Sequence, residues 1–374
     1  MKDLVKSLRY TFLALVASLL VGAVIIVITD IDALKSGDFG KAFSTVLSAY
    51  ANLFEGSLWG LRSISNTITA STPLLLSGLA VSVAFKAGLF NIGATGQMLA
   101  GGMVALWVGF VMTGPGWLQI PLALIAGAIG GALYGGIAGV LKARTGAHEV
   151  ITTIMLNSIA GFMVMWLLKT KTFQREGRPD PISKLISEEA HLPRLFGFME
   201  GRADLSAHFG FFVALLMTFL YWYLLKRTTL GFELRATGLN SDAAKYAGMK
   251  TKSLMVVAML FAGGFAGLAG ATEILGTYGY ASGSFAGEIG FDAIAVALLG
   301  QSSPIGTLVS AVLFGALQAG GRQMQANTDV HVDLITVLRA LIVMFVAAPL
   351  LVKAMFRVKS QVSAQKQTFR GWGG

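Results

Sequence analysis

The 374-residue chain contains no cysteine, which removes disulfides, thiolate nucleophiles and Cys-ligated zinc together. Charge is nearly as scarce: Asp, Glu, Lys and Arg make up 13% of the chain against 55% hydrophobic residues, too little to solvate the surface of a water-soluble domain. The four histidines, His148, His191, His208 and His331, are scattered and form no metal-ligand set. No phosphate-cradling GxxxxGK[ST] loop occurs; Gly40-Lys41 lacks both the upstream glycine and the following hydroxyl. The chain therefore holds no nucleotide by that device. Its apolar runs supply neither the acid–base pair or nucleophile of a membrane enzyme nor the mid-membrane ionisable residues of an ion-coupled transporter.

A mean hydropathy of +0.69 calls for a lipid solvent. Runs close to the roughly 20 residues needed to span a bilayer core recur at Tyr10 to Thr29, Asn66 to Phe85, Gln97 to Met112, Leu118 to Leu141, Val150 to Leu168, Ala207 to Leu225, Ser253 to Thr272, Ile305 to Gly321 and Leu334 to Val352. A further run, Ile289 to Leu299, is too short to cross alone and predicts a tilted, broken or re-entrant helix. The expected fold is all-α: a polytopic membrane protein of about ten transmembrane helices, one of them broken or re-entrant.

The net charge of +10 has no basic face with interleaved aromatics behind it, so nucleic acid is not an expected partner. Basic residues instead mark the cytoplasmic side of a membrane protein. Lys2, Lys6 and Arg9 precede a first run that continues without a cleavage-like site into Thr29-Asp30-Ile31-Asp32, which reads as an uncleaved span entering from the cytoplasm. Alternating sides from there concentrates the basic excess inside. This divides the chain into a cytoplasmic N-terminus (1–9), a membrane domain (10–352) and a cytoplasmic basic tail (353–374). Within the membrane domain, external segments fall near 30–65, with an amphipathic piece around Phe39 to Trp59, and near 169–206. A cytoplasmic loop falls at 226–252.

That loop contains a run of helix formers and small residues from Phe232 to Gly248. Asn240 or Ser241 is a candidate N-cap for a helix through Asp242, Ala243, Ala244 and Tyr246, and Gly248 is a stop. A short, small-faced helix suits docking into a groove of another protein, although an ordinary connecting loop has the same composition. Between two spans, Gly88, Gly93 and Gly96 interrupt the apolar run while Asn91 and Gln97 put amides near membrane depth. Such groups are tolerated only against protein or a water-filled cavity, so they either line a path beside Phe90 or cap helix ends at a tight turn. Glu149 opens a span as a first-turn acid, with Thr153 and Asn157 on an inward face. Asp292 falls toward an outer boundary. Arg339 inside the last run needs a partner or a snorkelling route. Gly127, Gly131, Gly135 and Gly139 recur every fourth residue, as do Gly263 and Gly267, a spacing for close helix packing in lipid.

Four of these segments stand in a familiar order: Phe85 to Met98 (FKAGLFNIGATGQM), Gly146 to Asn157 (GAHEVITTIMLN), Glu233 to Gly248 (ELRATGLNSDAAKYAG) and Gly290 to Thr307 (GFDAIAVALLGQSSPIGT). Together they resemble the permeases of bacterial ABC importers of the branched-chain amino acid and simple-sugar superfamily, closest to the nucleoside-type permeases. The resemblance weakens over 30–65 and 169–206. It implies that Glu233, Arg235, Ala236, Gly238, Asn240, Asp242, Ala243, Ala244 and Gly248 couple the chain to a cytoplasmic ATPase. It further implies that Phe90, Asn91, Gln97, Glu149, Thr153, Asn157 and Asp292 belong to a substrate path. ATP and magnesium would then sit on the partner ATPase and no cofactor on this chain. The implied partners are that ATPase, a second permease subunit in a heterodimer, an external substrate-binding lipoprotein and membrane lipid. The implied cargo is a nucleoside, with a ribose- or galactose-type sugar as the alternative, and the implied location is the bacterial cytoplasmic membrane with both termini inside.

Overall fold

The computed structural model describes residues 2–29, 39–283, 285–328 and 333–347. Among these residues the regular structure is helical, apart from isolated antiparallel bridges. In chain order the helices are α1 (Lys2–Thr29), α2 (Phe39–Leu58), α3 (Leu61–Lys86), α4 (Ala94–Val111), α5 (Gly116–Thr145), α6 (Glu149–Leu167), α7 (Gly210–Arg227), α8 (Thr229–Leu239), α9 (Ser241–Tyr246), α10 (Thr251–Thr272), α11 (Ile289–Leu299), α12 (Pro304–Asn327) and α13 (Asp333–Ala347).

Seven stretches are long and apolar enough to cross a membrane: α3, α4, α5, α6, α7, α12 and the run Thr251–Tyr278. Val16–Thr29 and Ile289–Leu299 are apolar but shorter, so seven of the expected ten reach that length among the described residues. The 30–65 segment, expected as one external stretch, is a 20-residue helix from residue 39 followed by the first turn of α3. Its amphipathic sequence has a reason, because α2 packs along α12: a Cβ on Gly56 would fall 3.0 Å from the Gly320 Cα. Residues 30–38 of that segment and the basic tail 353–374 lie outside the described residues.

Glycine sets the centre of the bundle. A Cβ on Gly131 would come 2.3 Å from the Gly263 carbonyl oxygen, and one on Gly267 would come 2.3 Å from the Gly127 oxygen. α5 and α10 therefore touch backbone to backbone along the stripe read from the sequence. α4 joins them, since a Cβ on Gly101 would lie 2.3 Å from the Gly267 Cα. In lipid, where apolar side chains gain little by leaving the solvent, such close approach is what gives helices packing energy. α3 is almost wholly interior and carries hydroxyls on the inside. Ser71 Oγ donates to the Thr67 carbonyl at 2.6 Å and Thr72 Oγ1 to that of Ile68 at 2.9 Å, so these hydroxyls are satisfied within their own helix.

The opposite surface property appears on the outer helices. Ile125, Ile129, Leu133 and Ile137 on α5, and Phe212, Leu216, Phe219 and Tyr223 on α7, are all exposed at three- or four-residue spacing, a continuous apolar stripe on each helix. Water would penalise such stripes and lipid accepts them.

The bundle has two distinct ends. One gathers Lys86, Lys142, Arg144, Lys226 and Arg227 at helix C-termini together with α8 and α9; it is called the Lys86 end below. The other, the Ser187 end, carries the 169–206 segment. Backbone bonds stitch that segment to the chain around residue 280: Ser183 N–H to the Ala281 carbonyl at 2.9 Å, Ile186 to Gly279 at 3.0 Å and Leu192 to Leu275 at 2.8 Å. Arg175 adds its guanidinium over the Tyr280 ring at 5.2 Å.

Candidate functional site

At the Lys86 end, α8 and α9 form a small capped unit. Thr228 Oγ1 accepts the Gly231 N–H at 3.0 Å to start α8. Asn240 Oδ1 accepts the N–H groups of Asp242 and Ala243, each at 3.0 Å, to start α9. Of the two caps open from the sequence, Asn240 is the one used. Gly248, at φ +86, takes the left-handed conformation that ends the unit. One face is anchored: Leu234 and Ala244 are buried, and a Cβ on Gly238 would strike the Lys86 carbonyl oxygen at 2.2 Å. Glu233, Arg235 and Ala236 are half-buried, and Asn240, Asp242, Ala243 and Gly248 are exposed. The free side presents Leu239 at 89% exposure and Tyr246 at 97%, apolar tips that sequence reasoning did not single out. Gly238 rests on the chain at Gly88, beside the break between α3 and α4.

That break occupies residues 87–93 and contains Asn91, with Gln97 following in the first turn of α4. Asn91 Nδ2 donates to Gln97 Oε1 at 3.0 Å, and Gln97 Nε2 donates back to Asn91 Oδ1 at 3.2 Å. The Gly93 N–H also reaches Asn91 Oδ1, at 2.9 Å. From α6, Asn157 Oδ1 accepts the Gly96 N–H at 2.8 Å while its Nδ2 donates to the Ile92 carbonyl at 2.9 Å. Thr153 Oγ1 accepts the Ile92 N–H at 3.3 Å and donates to the Glu149 carbonyl at 2.7 Å. Asn91, Gln97, Thr153 and Asn157 are thus brought into one network, and the first turn of α4 is capped from a neighbouring helix. Glu149, 2% exposed, pairs with Lys142 Nζ at 3.0 Å instead, and Phe90 packs on Phe85 with ring centroids 4.9 Å apart.

Asp292 stands apart from that network. It lies in the first turn of α11 and forms an ion pair with Arg339 Nη1 of α13. Arg339 Nη2 lies 3.9 Å from the Glu288 carboxylate and 3.4 Å from Thr336 Oγ1. The pair lies on the wall of a cleft of about 540 Å³ between α11, α12 and α13, lined also by Phe291, Phe314 and Met344. Arg339 is six residues into α13, roughly 9 Å along it at 1.5 Å per residue.

Two polar groups were missed by reading the sequence. The helix of α10 does not stop at Thr272 but continues as a π-helical turn, Glu273–Tyr278, a local form frequent at functional sites. Glu273 is buried there, with Thr277 Oγ1 donating to its Oε1 at 3.3 Å. His208 is buried beside the same turn and accepts the Gly210 N–H on Nδ1 at 3.2 Å. A lone acid in an apolar run was the available signal for Glu273. No group of three or more His, Cys, Asp or Glu poised to hold a metal occurs among the described residues.

Comparison with known proteins gives this arrangement a context. Residues 63–348 match the family model described as the permease component of the branched-chain amino acid transport system. The guanosine ABC transporter permease protein NupP of Bacillus subtilis is 42% identical over 307 residues, 81% of this chain and 86% of the relative. The nucleoside ABC transporter permease protein NupB of Lactococcus lactis is 38% identical over 325 residues, covering 85% and 88%. The glucose ABC transporter permease protein TsgB13 of Haloferax volcanii is 32% identical over 337 residues, covering 89% and 85%. No solved structure matches the chain at a significant level.

Proposed function

The chain belongs to the family of branched-chain amino acid transport system permease components, multi-pass membrane subunits of ABC transporters, and on that footing we propose that it moves nucleosides inward across the bacterial cytoplasmic membrane. The two nucleoside permeases at 42% and 38% identity support that cargo over the sugar named for the relative at 32%. Family membership implies an ATPase and a substrate-binding protein as partners. The further proposals are that the binding protein is an external lipoprotein and that a second, different permease completes the membrane core. ATP and magnesium act on the ATPase.

The single observation that carries the reading is the seating of Gly238 on the α3–α4 break. The exposed tips Leu239 and Tyr246 would meet the ATPase, and its motion would pass through α8 to residues 87–93, where α4 is hinged onto α6. On this reading the Lys86 end would face the cytoplasm, as would both termini. The basic residues at that end support the orientation. In the proposed path, Phe90 and the Asn91–Gln97–Thr153–Asn157 network form the moving wall, with Glu149 fixing the start of α6 through Lys142.

Co-purification and uptake test this together. Gly238→Leu has no room for its side chain beside the Lys86 carbonyl, and Ala244→Trp none in the buried seat of α9. Both variants should insert in the membrane at wild-type levels and lose at least ten-fold of nucleoside uptake. A Tyr246→Ala, Leu239→Ala variant should lose the ATPase in pull-down. Full uptake in both bulky variants would refute the coupling role.

A further inference from the structure

Resting on the importer reading above, we propose that the cleft between α11, α12 and α13 recognises the base of an oxo-nucleoside, with the Asp292–Arg339 pair reading a carbonyl next to a ring N–H. An ion pair amid the apolar sequence of α13 is costly and marks either a latch or a ligand site. A latch should be closed on itself, as the amide network at residues 91–157 is. This pair is not closed. Arg339 Nε is buried without a hydrogen-bond partner, and Nη2 has only the 3.4 Å contact with Thr336 and the 3.9 Å approach to Glu288. Arg339 takes one oxygen of Asp292, and among the described residues no hydrogen bond reaches the other.

The cleft suits such a ligand in size and lining. Its volume of about 540 Å³ falls within the range of small-molecule sites, and the exposed Phe291 in its lining offers an apolar face for a planar base. The polarity of the pair then selects among bases. Guanosine and inosine present O6, an acceptor, beside N1–H, a donor; uridine presents the same order. A guanidinium beside a carboxylate is the complementary order, donor beside acceptor. Adenosine and cytidine present an amine beside a bare ring nitrogen, which sets donor against donor and lone pair against carboxylate. A sugar has neither edge nor flat face.

The test compares labelled inosine and adenosine, which share a ribose and differ at this edge, in cells expressing the chain with its partner subunits. Asp292→Asn can turn its amide either to donate to adenine N1 or to accept from inosine N1–H, so the inosine-to-adenosine uptake ratio should fall while membrane levels of the chain, read by immunoblot, stay unchanged. Asp292→Asn combined with Arg339→Gln removes the charges together and should leave the inosine preference lost. An unchanged ratio in Asp292→Asn, or wild-type inosine preference in the neutral double variant, would mean a latch only and would overturn the proposal. Uptake of both nucleosides that does not depend on the chain would instead remove the importer reading itself.

Discussion

Two polar groups inside the bundle, an ion pair joining residues 47 apart in sequence and an amide group whose Gly96–Asn157 bond spans 61, are built on opposite terms. In the amide group around Asn91 every side-chain amide oxygen and nitrogen has a partner: Asn91, Gln97 and Asn157 give and take hydrogen bonds among themselves and with the backbone of residues 92–96. The ion pair on the cleft is open, with a buried guanidinium nitrogen left over. A group whose members are partnered with one another holds a shape. An open group pays its desolvation only partly and gains from a visitor. On the proposed reading the difference separates a hinge from a recognition surface within one permease.

Substitutions should separate them further. Asn91→Leu leaves Gln97 and the Gly93 N–H without their partner, a loss of about 3 kcal/mol from orphaned buried groups, visible as a large fall in thermal stability of the detergent-solubilised chain by size-exclusion chromatography after heating. Asn157→Ala uncaps Gly96 and frees the Ile92 carbonyl at the joint between α4 and α6, and should cost about 2 kcal/mol in the same assay. Thr153→Val removes one long bond from Ile92 and one local bond to Glu149, for about 1 kcal/mol. The neutral pair Asp292→Asn, Arg339→Gln should change stability by less than about 1 kcal/mol, since exchanging both members of such a pair is often near neutral. If that double variant melts as early as Asn91→Leu, the contrast between the two groups disappears.

The parts legible in the sequence were those written locally. Glycine every fourth residue announced close packing for α5 and for α10, the Gly-rich interruption announced the break at 87–93, and Asn240 was one of two residues offered as the cap of α9. What could not be read depends on distant partners. The sequence left Asn91 and Gln97 open between lining a path and capping a turn, because the deciding groups, Thr153 and Asn157, arrive from another helix. Arg339 was visibly in need of a partner, yet Asp333, on its own helix, was the nearest acid in sequence; the bond goes to Asp292 across the fold. Glu273 was missed because the apolar count stops at Thr272, whereas the helix runs on through a π turn that composition does not encode. The 30–65 segment was read by hydropathy as external chain, and its packing on α12 follows from Gly56 meeting Gly320, a tertiary match.

The central claim is nucleoside import, and uptake of labelled guanosine by cells with and without the chain tests it most directly, with unlabelled nucleosides, free bases, ribose and galactose as separate competitors. The account predicts uptake that requires the chain and is blocked by nucleosides but not by the bases or sugars; block by ribose or galactose alone, or uptake indifferent to the chain, would contradict it.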